Sequence, residues 1–179
     1  MPIDLGAKGT CQIGGNLATA AGGLRFLRYK SLHSNILGLK VVLSDGRILD
    51  NTKKVRKDNT GYHLDHLFIG SEGTLGIITE LVMQVPIKPK SINVALLGVE
   101  SFEKCVEVFK LTKSKIDSIL SAFEFFDGNC LSMVLKHMKV SYPLSDKYPF
   151  YVLIETHGNN EKNDEEVNLK YHWLIFFFF

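Results

Sequence analysis

The sequence predicts an α+β chain made of two incomplete domains, and three observations carry that expectation. An Asp-Gly turn joins two β-prone runs in the first half. The segment Pro86-Ile87-Lys88-Pro89-Lys90 then interrupts the pattern. Beyond it, apolar periodicity runs strand, helix, strand, helix, strand.

The elements follow in order. Between Gly6 and Gly23 stand Gly6, Gly9, Gly14, Gly15, Gly22 and Gly23. Glycine at this density means backbone turned through positive φ or brought close to something large. Between the two Gly-Gly pairs, Asn16–Ala21 suits a short helix. Leu39–Leu43 and Arg47–Leu49 flank Ser44-Asp45-Gly46, a hairpin signal. Leu64–Ile69 predicts one helical turn leading into Gly70-Ser71-Glu72-Gly73. Thr74–Val85 alternates as a strand, which Pro86 and Pro89 stop. That proline-bounded segment is the best domain boundary in the chain. Past it, Ile92–Val99, Ile119–Phe126 and Phe150–Thr156 read as strands. Helices are expected over Phe102–Ile116 and Gly128–Lys139. In the first of these, Phe102, Val106, Phe109 and Ile116 stand near helical spacing. The order implies helices on one face of a sheet, and no internal repeat is visible.

Composition narrows the function classes. With 45% hydrophobic and 22% charged residues, the chain is neither disordered nor fibrous. A formal net charge of +2 is too small to imply nucleic acid or an anionic membrane as partner. The basic run Lys53-Lys54-Val55-Arg56-Lys57 lacks interleaved aromatics and reads as a solvated loop. Cys11, Cys105 and Cys130 are widely spaced and odd in number, which supports neither a disulfide framework nor a thiolate zinc site. A reducing or organellar-matrix compartment fits them. No apolar run approaches the roughly 20 residues needed to span a bilayer. The first residues have the pattern of neither a signal nor a transit peptide. At the other end, the unrelieved apolar run Tyr171–Phe179 is expected to be non-native sequence following a hydrophilic helix start near Asn160–Asn168.

Two constellations carry chemistry. In Gly14-Gly15-Asn16-Leu17-Ala18-Thr19-Ala20-Ala21-Gly22-Gly23, a Gly-Gly turn opening a short helix leaves outward N–H groups suited to a pyrophosphate. Asn16 and Thr19 add side-chain donors. In Gly70-Ser71-Glu72-Gly73-Thr74-Leu75-Gly76-Ile77-Ile78, glycines before a β-branched strand let a ligand lie on bare backbone. Alone, each segment serves equally as a structural turn or a bulged strand start. His63 and His66 stand at helical spacing but lack a glutamate partner, so a surface role is the expectation. Arg25 and Arg28 read as exposed loop charges, and Cys11 as a small packing residue.

Together, the two segments and the intervening Arg56–Tyr62 resemble the FAD-binding domain of the vanillyl-alcohol oxidase/para-cresol methylhydroxylase type. Pro2–Gly9, Ile13–Asn16, Ala21–Tyr29, Phe68–Thr79, Ala122–Phe125 and Pro149–Thr156 all look like segments of one branch of that family, up to about Asn160. The resemblance implies the C-terminal part of a PCMH-type FAD-binding domain over residues 1–88. An incomplete ferredoxin-like substrate, or cap, domain follows over 89–170, and 171–179 is the foreign tail. It implies FAD as cofactor, with Gly14, Gly15, Asn16, Thr19, Gly22 and Gly23 facing the pyrophosphate and flavin ring. Gly73, Gly76, Ile77 and Ile78 would line the adenine end. The implied activity is a mitochondrial oxidation of (R)-2-hydroxyglutarate to 2-oxoglutarate. Hydride passes to the flavin and electrons go on to an electron-transfer acceptor. A D-lactate-type 2-hydroxy acid dehydrogenase is the alternative, as is a weak FAD-binding fragment without catalysis. The family's first phosphate loop is expected upstream of Met1, and its substrate arginine and His/His/Glu metal site downstream of the tail. No catalytic or metal residue is therefore assigned, and the fragment alone is expected to be inactive. Where the family usually has Asn before Ala-Gly-Gly, this chain has Ala20; a lost hydrogen bond there would cost about 0.5–1.5 kcal/mol.

Overall fold

The computed structural model describes residues 3–160, so the tail at 171–179 and the segment from Glu161 lie outside the described residues. Two compact units part between Ile87 and Lys88.

The first unit is a small antiparallel sheet carrying four short helices. These are α1 (Ile13–Ala18), α2 (Phe26–Tyr29), α3 (Leu32–Asn35), β1 (Ile36–Val42), β2 (Ile48–Asp50), α4 (Asp65–Phe68) and β3 (Ile77–Met83). β1 is central, in the order β2-β1-β3. The expected hairpin forms where Val42 faces Ile48. Its turn is fixed by Asp45 Oδ1, which accepts from the Arg47 N–H at 3.0 Å. The buried cluster is Leu17, Leu32, Ile36, Leu39, Val41, Phe68 and Ile69. α1, α3 and α4 thus each commit one apolar side chain to the sheet, which is how one- and two-turn helices persist despite unfavourable nucleation.

The first helix differs from expectation. It spans Ile13–Ala18 rather than Asn16–Ala21, so Gly14 and Gly15 lie inside it. It ends in a Schellman motif: the Ala21 N–H donates to the Asn16 carbonyl at 2.8 Å and the Ala20 N–H to the Leu17 carbonyl at 2.9 Å. That motif turns Ala20, two residues past the helix end at Ala18, to φ +50°. β3 is shorter than the alternating run at both ends: the chain bends at Thr74 and Leu75 before it, and Gln84 and Val85 follow it. α2 and α3 went unpredicted.

The second unit runs β4 (Ser91–Val99), α5 (Phe102–Ile116), β5 (Leu120–Asp127), α6 (Gly128–Met138) and β6 (Phe150–Gly158). β6 lies between β4 and β5 and is antiparallel to both. The α+β arrangement of three strands and two helices is therefore present. α5 starts where Ser101 Oγ accepts from the Lys104 N–H at 3.3 Å, and α6 where Asp127 Oδ1 accepts from the Cys130 N–H at 2.7 Å. The buried face of α5 is Cys105, Val108, Thr112 and Ile116. Of the expected stripe only Ile116 belongs to it. Phe102 and Phe109 flank it instead, edge-on to Phe125 and Phe123 with centroids 5.2 and 4.9 Å apart. Aromatic weight in the sequence drew the stripe toward the helix's flank.

Candidate functional site

The groove begins where α1 crosses β3. A Cβ at Gly14 would stand 3.2 Å from the Ile78 carbonyl oxygen, so a side chain there would push helix and strand apart by a few tenths of an ångström. The last carbonyls of α1 run out of helical donors, and the Leu17 oxygen, bonded by the Ala20 N–H, still has a second lone pair to offer. The second glycine segment takes them: the Gly70 N–H donates to the Leu17 oxygen at 2.9 Å and the Glu72 N–H to the Ala18 oxygen at 2.8 Å. Segments distant in sequence thereby become one wall. Ser71 Oγ donates back to the Phe68 carbonyl and Thr74 Oγ1 to the Ser71 carbonyl, at 2.9 and 2.6 Å, closing the turn before the strand. Gly76 then presses onto β1, where a Cβ would meet Val41 Cγ1 at 2.7 Å and the Val42 oxygen at 2.8 Å.

The resulting groove holds about 460 Å³ and is lined by residues 12–15, Ala18, Gly73 and residues 76–81. Gly14, Gly15, Gly73, Gly76, Ile77 and Ile78 of the sequence-derived set are brought together here. Asn16, Thr19, Gly22 and Gly23 are not part of that lining. Asn16 is buried, its amide donating toward Cys11 Sγ at 3.5 Å. The Thr19 hydroxyl donates to the Gly15 carbonyl at 3.0 Å. Gly23 packs on Asp4, with a Cβ position 2.8 Å from the Asp4 oxygen, and Gly22 faces open space. Gln12, Ala18, Thr79, Glu80 and Leu81 also line the groove. Glycine spacing did not mark them, although Thr79–Leu81 continue the predicted strand.

Chemically the groove is mostly backbone and aliphatic surface. Glu80 is the one charged residue in its lining, and it is engaged by Lys40 Nζ at 2.7 Å, which also lies 3.3 Å from Asp50. Hydrogen bonds that the Lys40 ammonium donates to Glu80 first, then to Asp50, hold it above its usual range. No cysteine, serine or histidine lines the groove to act as nucleophile or base. What it offers is glycine backbone and aliphatic walls, the surface that suits the edge of a flat ring and a linear polar chain. A side chain at Gly15 would meet nothing within 4 Å and one at Gly73 only Ile77 at 3.9 Å, so the backbone is bare there, whereas one at Gly76 would strike β1.

Elsewhere, Arg25 pairs with Asp4 at 3.3 Å, and Lys53 of the basic run with Asp58 at 2.5 Å. The Lys53 pairing, followed by the Thr60 N–H, draws the Asp58 carboxyl down to about 2. Among the described residues no group of three His, Cys, Asp or Glu side chains is arranged to hold a metal ion. No described helix is long and apolar enough to cross a membrane. One polar cluster escaped sequence reading: Ser121, Glu155 and His157 are buried in the second sheet. Ser121 Oγ donates to Glu155 Oε1 at 3.0 Å, and His157 Nε2 lies 3.0 Å from the same oxygen. The hydroxyl is bound to the carboxylate rather than to imidazole, so the trio is not a nucleophilic triad.

Residues 1–52 match a family described as an FAD binding domain, and residues 88–172 match FAD linked oxidases, C-terminal domain. Over 166 residues the chain is 54% identical to the mitochondrial D-2-hydroxyglutarate dehydrogenase of Danio rerio, covering 93% of this chain and 31% of that protein. It is also 54% identical over 165 residues to a putative mitochondrial D-lactate dehydrogenase of Schizosaccharomyces pombe, covering 92% and 31%. A solved alkyldihydroxyacetonephosphate synthase superposes with a TM-score of 0.65 at 24% identity, covering 91% of this chain and 33% of that one. That likeness speaks to fold. The chain spans about a third of the length of the relatives it matches.

Proposed function

The chain belongs to the FAD-linked oxidase family, and from that premise we propose that its first unit forms one wall of an FAD site in a 2-hydroxy acid dehydrogenase. The observation that carries the reading is the common groove of Gly14–Gly15 and Gly73–Ile78. Gly14 and Gly15 would expose peptide groups to the pyrophosphate or flavin, and Gly76, Ile77 and Ile78 to the adenine edge. Asn16 and Thr19 act behind them: Asn16 as a buried support under the helix, Thr19 by closing its last turn. When bound, the flavin supplies the hydride acceptor. The residues of this chain bind and orient it and keep water off its backbone face.

The substrate we assign is (R)-2-hydroxyglutarate, oxidised to 2-oxoglutarate in mitochondria, with electrons passed to a further acceptor. Relatives bearing that activity in their names support it, among them enzymes of Danio rerio and Rattus norvegicus at 54% and 53% identity. The D-lactate reading rests on the Schizosaccharomyces pombe relative, equal in identity to the first. A full-length protein carrying this segment decides between them: anaerobic bleaching of its flavin by (R)-2-hydroxyglutarate but not D-lactate is expected. The cofactor claim itself is tested by titrating this chain with FAD. Flavin absorbance that co-elutes with the protein after gel filtration supports it, and complete separation of the two refutes it.

A further inference from the structure

Three histidines meet on the first unit, away from the groove lining. The His33 ring on α3 stands edge-on to His66 on α4, with centroids 5.2 Å apart, and the His63 ring lies 5.7 Å from His66. The titratable and charged groups facing His66 are His33, His63 and Asp65. Asp65 is buried and spends one oxygen on the Asn51 amide at 2.7 Å. Its other oxygen is buried without a hydrogen-bond partner, and its charge favours a protonated His66 against the two neighbouring rings.

α4 is also the root of the groove. It is followed directly by the turn at 70–73. That turn is bonded to the Phe68 carbonyl at one end, and at the other to the final carbonyls of α1. We propose that His33, His63 and His66 form an acid-sensitive latch: neutral, they pack α4 against α3, and protonated they repel and loosen the turn at 70–73 that builds the groove.

The sign follows from the surroundings. Partial burial first, then His33 and His63, hold His66 below the ordinary imidazole value of 6.5, and Asp65 opposes them. A group whose folded value lies below its unfolded one binds more protons when unfolded. The packing is thus fully present above pH 6.5 and is lost as pH falls through 6.5 toward the lower folded value. Because the rings are partly solvated, the effect is a local opening of several-fold to about tenfold rather than global unfolding. The link to the cofactor rests on the groove reading above; the latch itself does not.

The test is amide hydrogen exchange of the intact chain at about pH 5.5 and about pH 7.5, on either side of imidazole titration, corrected for intrinsic exchange. Protection over residues 63–73 is expected to drop several-fold to about tenfold at the lower pH, with β1 little changed. The double substitution His33→Gln, His66→Gln should flatten that difference. The single exposed change His63→Gln should reduce it even if the double variant folds poorly. Equal protection at both values in the wild type, or an undiminished acid effect in the variants, overturns the latch. FAD titrations run alongside separate the two ideas. Loss of FAD binding at both pH values counts against the groove, while the exchange data still decide the latch.

Discussion

Four described non-glycine residues, Ala20, Lys30, Glu72 and Lys139, have positive φ, and two of them bear most on the first unit. Ala20 occupies the left-handed position of the α1 Schellman motif at φ +50°, and Lys30 sits at φ 62°, ψ −166°, a region tolerated essentially by glycine alone. The Asn that the resemblance implies at the first position would have a conformational reason, since Asn enters the left-handed region more readily than Ala. The shortfall expected at Ala20 as a missing ligand bond is thus at least partly backbone strain. Ala20→Gly should stabilise the first unit by about 0.5–1 kcal/mol, and Lys30→Gly by about 1–2 kcal/mol, after allowing for glycine's greater unfolded entropy. Thermal melts of the two variants check this, and a fall in melting temperature for both would contradict it. Gly76 is the opposite case. Gly76→Ala drives a methyl into Val41 and the Val42 carbonyl, with nothing flexible to yield on the backbone side. The expected loss is about 1–3 kcal/mol, with weaker FAD binding measured in the same samples.

At the scale of elements, legibility followed the length of the pattern. β1 and the β2 hairpin were visible because Asp45-Gly46 sits between alternating runs, and the strands and helices after Lys88 because each is long enough to show its period. α2 and α3 are four residues each and have no period to show; their apolar anchor is a single side chain such as Leu32. α1 was misplaced because glycine argues locally against helix, whereas here Gly14 eases the close approach to Ile78. The same limit governs the groove. Glycines at 14, 15, 73 and 76 announced bare backbone, but Gln12 and Glu80 join only through the α1–β3 crossing, which no local signal encodes. Helix starts were clearer. Asp127 caps α6 through the Cys130 N–H and places negative charge at the positive end of the helix. Asp127→Ala should cost about 1 kcal/mol, while Asp127→Asn, which keeps the cap, should cost less. Denaturant unfolding of the pair checks the order; equal losses would point to charge alone.

The whole molecule has two units, each with its own sheet, and the bonds that build the groove all lie within the first. A ligand that binds only the folded first unit must therefore stabilise that unit by linkage and leave the second untouched. At free FAD a hundredfold above its dissociation constant, the gain is about 2.7 kcal/mol. For a unit of this size that moves a melting transition by more than about 10 °C. Calorimetry of the chain should accordingly resolve two transitions, with FAD raising one of them. Asp127→Ala gives the reciprocal control, lowering the transition that FAD does not move. If FAD and Asp127→Ala shift the same single transition, the units unfold as one, and stability in the second half feeds the cofactor groove in the first. Two separately shifted transitions mean that the groove is set by local bonds alone: Gly70 and Glu72 to the end of α1, and Gly76 against β1.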